Sequence, residues 1–210
     1  MSKVIEKKCV THVTAELPEK FALSPYYSPE NLRFCRHILQ AQLSGHIVLP
    51  HGLGLSTTNY QMLREALNDK DLIYKEIEWH KENWSGIRER AEFCAQMFAM
   101  KSDECDELTT LLLSYRNQQT PSSKQMAVIV ATASLSQFHL WESLGLPDRA
   151  LLGSLIQHNF PKLHALNTEN MRWKRFFYRQ LCEQGGDYIC KAPNCQECQS
   201  YKQCFAEQGT

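Results

Sequence analysis

At 210 residues and 43% apolar content, the chain suits one hydrophobic core, or one domain with a small appendage. Lys plus Arg equal Asp plus Glu at 23 each, so no net field draws the protein towards nucleic acid or an anionic membrane. Its longest apolar run, Met126–Ala133, is far too short to cross a bilayer.

Residues 1–27 show no convincing periodicity and read as an irregular segment. Met1–Thr14 is charged and lacks the apolar stretch of a signal peptide, which points to a cytoplasmic protein with reduced or metallated thiols. Ser28-Pro29-Glu30 is a helix start, and Leu32, Cys35, Leu39 and Leu43 supply its apolar stripe before Gly45 ends it. Ile47–Leu55 reads as a loop, and Ser56 caps a helix bearing Tyr60, Leu63 and Leu67. Ile87, Ala91, Cys94 and Phe98 mark a third helix. Ser102-Asp103 starts a fourth, faced by Leu108, Leu111, Leu112 and Tyr115.

From Lys124 to about Ser143 the pattern is apolar nearly all round, which predicts one helix at the centre of a bundle. Pro147-Asp148 begin the next, with Leu151, Leu152, Leu155 and Ile156 inside. Thr168 is the expected cap of the last, where Trp173, Phe176, Phe177 and Leu181 share a face. Gly185-Gly186 then release the chain. The fold class expected is all-α: a bundle of about six or seven helices over 28–185, an irregular N-terminus over 1–27 and a cysteine-rich loop over 186–210.

That loop holds Cys190, Cys195, Cys198 and Cys204, spaced C-x4-C-x2-C-x5-C. A segment so short builds no core, so four thiols within it point to a metal or an iron–sulfur cluster. Structural zinc sites usually join two knuckles across a longer insert, whereas one compact loop suits a cubane, whose corners spread the ligands more widely. Disulfides suit a secreted chain better than this one. Five of the nine cysteines lie elsewhere. Cys35, Cys94 and Cys105 read as small buried hydrophobes, and Cys182 either packs or joins the cluster.

Two further features sit beside the loop. Arg172, Arg175 and Arg179 recur opposite the aromatic stripe, either as a solvated face or as charge that offsets a cluster or docks an acidic partner. His139, within the apolar run, is expected to be a buried hydrogen-bonded imidazole, with a labile metal ligand as the sharper alternative.

Leu49-Pro50-His51-Gly52-Leu53-Gly54 resembles the hairpin of helix–hairpin–helix DNA glycosylases, whose cluster loop shares the C-x2-C-x5-C half. His51 interrupts their Leu-Pro-Gly, and zero net charge is a poor match for phosphate tracking. An iron–sulfur-cluster DNA glycosylase-like protein is the alternative reading.

The second half resembles the NifQ family. The matching stretches are His139-Leu140-Trp141, Leu144-Gly145-Leu146, Arg149, Phe160-Pro161, Asn167 and the run Met171 to Cys182. The cysteine loop follows, from Cys190 to Cys198 and on to Cys204-Phe205. Leu53-Gly54-Leu55 and Asp106-Glu107-Leu108 match more loosely, while Ser136-Gln137-Phe138 and Ala206 depart from the family's pattern. The resemblance implies a molybdenum–iron–sulfur cluster on the four cysteines, with molybdenum donated for nitrogenase iron–molybdenum cofactor assembly. It further implies the nitrogenase iron protein and the NifE–NifN scaffold as partners, and a carrier rather than an enzyme. No nucleic-acid or membrane partner is expected.

Overall fold

The computed structural model describes residues 26–67 and 85–184. The N-terminal segment up to residue 25 and the cysteine loop lie outside the described residues. Nine helices and no strand occur among the described residues: α1 Pro29–Leu43, α2 Thr57–Leu67, α3 Ser85–Ala99, α4 Ser102–Ser114, α5 Ser123–Ser134, α6 Leu140–Ser143, α7 Arg149–Asn159, α8 Pro161–Leu166 and α9 Trp173–Glu183. The all-α expectation holds. Seven of these helices run eleven residues or more, and the other two, α6 and α8, are single short turns that periodicity does not reveal.

Local chemistry sets most starts. Ser28 Oγ accepts from Asn31 N at 3.1 Å and Ser56 Oγ from Asn59 N at 3.2 Å, each satisfying an orphan donor of a first turn. Asp148 does the same for Leu151 N at 2.7 Å and opens α7.

α5 is the axis of the fold. Every residue from Gln125 to Ser134 is buried, as expected of a helix without a polar face. α4 packs along it, α7 and α6 touch it, and α1 rests on α7. Its polar residues bond locally: Ser134 Oγ donates to Val130 O at 2.8 Å, and Gln125 Nε2 donates to the Tyr26 hydroxyl at 2.6 Å. Tyr27, at the end of the segment read as irregular, is fully inside the core.

A buried amide pair ties α1 to α7. Asn31 Nδ2 donates to Asn159 Oδ1 and Asn159 Nδ2 donates back to Asn31 Oδ1, both at 2.8 Å. Neither side chain is exposed to water. Asn31 Nδ2 also reaches Pro121 O and Ser122 Oγ, so this group also anchors the entry to α5.

The cysteines on helices separate into cases. Cys35 is buried with its sulfur 3.6 Å from Met126 Sδ, and burial pushes its thiol up to about 12. Cys94 is half-buried and donates to Val48 O. Cys105 is buried too, but it is disulfide-bonded, so packing alone does not describe it. α3 touches the core through Phe98 and Cys94, leaving Phe93 and Met97, and Met100 just after it, in solvent.

The Leu49–Gly54 loop is structural. Leu49 and Leu53 are buried, and Gln42 Nε2 donates to Leu49 O at 3.1 Å and Pro50 O at 2.7 Å. At Gly54 (φ +81) an added Cβ would fall 2.0 Å from Thr132 Oγ1, so the loop backbone lies directly on α5. Packing thus accounts for the motif that resembles a DNA-binding hairpin.

Candidate functional site

α9 is the last described helix before the four-cysteine segment. Trp173, Phe176, Phe177 and Leu181 fall on one side because helical neighbours recur at three and four residues, and all four are buried as expected. The Trp173 ring lies 5.9 Å from Phe176, edge-on, and 5.5 Å from His164 of α8. Burying each of these side chains contributes roughly 1.5–3 kcal/mol, so α9 is a fixed post. It packs against α4, where the Tyr178 hydroxyl bonds the Glu104 carboxylate.

Two expectations about this region are corrected. Thr168 does not cap the helix: α9 begins at Trp173, with Arg172 in the capping position and no side chain closing the first turn. Residues 167–171 form a separate turn instead, in which Asn167 accepts from Met171 N and donates to Met171 O, both at 2.8 Å. The long helix expected from Lys124 to Ser143 also breaks, because α5 stops at Ser134.

The cause of that break lies far along the chain. Lys174 Nζ donates to Ser136 O at 2.8 Å, Ser136 Oγ at 2.9 Å and Phe138 O at 2.5 Å. Lys101 Nζ reaches Leu135 O at 3.4 Å. Carbonyls beyond the last turn thus find ammonium donors from α9 and from the start of α4, and the chain leaves the helix. Lys174 is held down to about 8, first by burial and then by the like charge of Lys101, with Glu142 opposing.

His139 is consequently not the buried imidazole expected. It occupies the N-terminal capping position of α6 and is exposed, next to Phe138, which is 67% exposed. Its backbone N–H donates to Glu142 Oε2 at 2.8 Å. Cys182 sits in the last turn of α9, half-buried and free. Cys190, Cys195, Cys198 and Cys204 lie outside the described residues. Among the described residues no three His, Cys, Asp or Glu side chains meet as a metal-binding group.

The arginine row is split. Arg179 pairs with Glu183 at 2.8 Å and lies 3.8 Å from Glu169. Arg175 is exposed and Arg172 half-buried, and among the described residues neither side chain has an ionic or hydrogen-bonded partner. Sequence reasoning missed the roles of Lys174 and Arg149, whose partners are mainly backbone oxygens with no sequence signature. Arg149 Nη2 donates to Asn170 O at 2.7 Å, Asn170 Oδ1 at 3.0 Å and Met171 O at 3.3 Å, clamping the turn before α9.

Fold and sequence together define a helical protein whose last described helix precedes a four-cysteine segment. The NifQ family model matches residues 34–206. The chain is 39% identical to Protein NifQ of Azotobacter vinelandii over 177 residues, covering 83% of this chain and 88% of that one. It is 38% identical to Protein NifQ of Klebsiella pneumoniae over 157 residues, covering 74% and 87%. The chain belongs to the NifQ family, which ties it to nitrogen fixation. No solved structure matches it. No helix among the described residues is long and apolar enough to cross a membrane.

Proposed function

We propose that this protein carries a molybdenum–iron–sulfur cluster on Cys190, Cys195, Cys198 and Cys204 and donates its molybdenum for assembly of the nitrogenase iron–molybdenum cofactor. The cluster is cargo, and the protein is a carrier rather than a catalyst. Family membership together with the C-x4-C-x2-C-x5-C spacing supports the reading. The donor set suits the cargo: thiolates hold iron, while molybdenum in higher oxidation states also accepts oxygen or nitrogen. A donor must release its metal on contact, so one weakly held corner fits the task. The exposed His139 imidazole is a candidate for that corner, and Cys182 is a reserve thiol on the helix leading into the loop. The receivers proposed are the nitrogenase iron protein and the NifE–NifN scaffold, in the cytoplasm.

The test is metal analysis of protein purified without oxygen. Wild type is expected to hold iron and molybdenum. Each of Cys190→Ala, Cys195→Ala, Cys198→Ala and Cys204→Ala is expected to lose most of both while keeping its helical circular dichroism, and Cys35→Ala is expected to retain the metal. Zinc alone in the wild type would overturn the reading, and full metal content in one variant would remove that cysteine from the ligand set.

A further inference from the structure

Arg149 and Arg172 stand together at the start of α9. Arg149 is pinned there by a turn built for it: Asn170 adopts φ 52, in the left-handed region, and presents both its carbonyl and its side-chain oxygen to Arg149 Nη2. The third bond, to Met171 O, ends on the residue preceding Arg172. Only the Nη2 group of Arg149 takes part, which leaves the rest of its planar fork unused. Arg172 is half-buried beside it, and Arg175 follows one helical turn later. Arg179, further along the helix, shows the ordinary arrangement with two glutamates in reach.

The two neighbouring charges sense each other, since Arg149 is lowered by burial first and by Arg172 second. Like charges held together in partial burial are unfavourable unless an anion joins them. Main-chain N–H groups of the first turn of α9, which no side chain caps, face the same end.

We propose that Arg149, Arg172 and Arg175 form a binding site for a small tetrahedral dianion of the phosphate, sulfate and molybdate class. Guanidinium forks match pairs of oxygens, and three of them match a compact dianion. Half-burial of Arg149 and Arg172 favours a small ion over an acidic peptide, which would need the charges at the surface.

The experiment is calorimetric titration of the full chain, in chloride buffer of low ionic strength, with inorganic phosphate, sulfate and molybdate in turn. One-to-one binding of at least one dianion is expected. Arg172→Gln should weaken it at least about tenfold, as loss of a charged hydrogen-bond donor implies. Arg149→Gln should do likewise, and Arg179→Gln should leave it unchanged. Arg149 also holds a turn, so Arg172→Gln, which breaks no bond among the described residues, decides the matter if Arg149→Gln unfolds. Tighter binding of molybdate than phosphate makes this an intake point for the proposed cargo, while the reverse order assigns it to a phosphate-class ligand. Absence of binding at about millimolar dianion, or equal weakening by Arg179→Gln, overturns the site. Only the molybdate arm rests on the carrier reading. The titration needs no cluster and the metal analysis needs no dianion, so each can fail alone.

Discussion

Two irregular stretches of this protein satisfy their backbones in opposite ways. The Leu49–Gly54 loop lies in the core, its carbonyls bonded by the neutral amide of Gln42 and its glycine pressed on Thr132. The Leu135–His139 stretch runs from the buried Leu135 out to the surface, its carbonyls bonded by the ammonium groups of Lys174 and Lys101. A neutral donor in a packed core makes a fixed structural element. A half-buried ammonium makes a latch whose strength depends on proton and salt, and it lies where Phe138 and His139 are exposed.

The largest effect should come from the packed loop. Gly54→Ala forces a side chain into a left-handed backbone and onto Thr132 Oγ1, and should cost about 3 kcal/mol in chemical denaturation. Gln42→Ala, which leaves the Leu49 and Pro50 carbonyls without their donor, should cost about 2 kcal/mol in the same assay. If either variant unfolds no more readily than wild type, the loop is not the fixed element described.

Lys174→Met should cost about 1 kcal/mol near neutral pH, because half-exposed acceptors can turn to water. Its sharper signature is in pH. The folded lysine loses its proton near 8 and the unfolded one near 10.5, so between these values the unfolded state binds more protons. Wild-type stability should therefore rise relative to Lys174→Met from pH 8 to 10.5, and a flat difference would sink the latch. The comparison must be a difference, because Cys35, raised to about 12, pulls wild-type stability the other way above pH 9. His139→Ala should change stability by no more than about 0.5 kcal/mol, since the capping bond to Glu142 uses the backbone N–H.

Features governed by neighbours in sequence were legible. Ser28 and Ser56 cap the helices they were expected to cap, Asp148 caps the helix that Pro147-Asp148 were expected to begin, and the stripe from Trp173 to Leu181 is buried as its spacing requires. Features governed by distant donors were not. Nothing within Met126–Trp141 signals that α5 ends at Ser134, because Lys174 stands 38 residues beyond Ser136. The misplacement of His139 follows from that one unseen donor. The start of α9 was misjudged for a similar reason: Thr168 has cap chemistry, but Asn167 and Arg149 claim the turn that follows. The expectation drawn from the cysteine spacing falls on residues outside those described.

The Asn31–Asn159 pair, whose members stand 128 positions apart, has a consequence for the order of assembly. Synthesis delivers α1 early, yet the amide that its buried asparagine needs leaves the ribosome only after three-quarters of the chain has been made. Until then Asn31 stays with water, and the apolar face around Phe34 and Ile38 has no permanent cover. Closure across so long a loop is slow compared with helix formation. The nascent protein is therefore most exposed to chaperones and proteases at its first helix, and that exposure ends when α7 arrives.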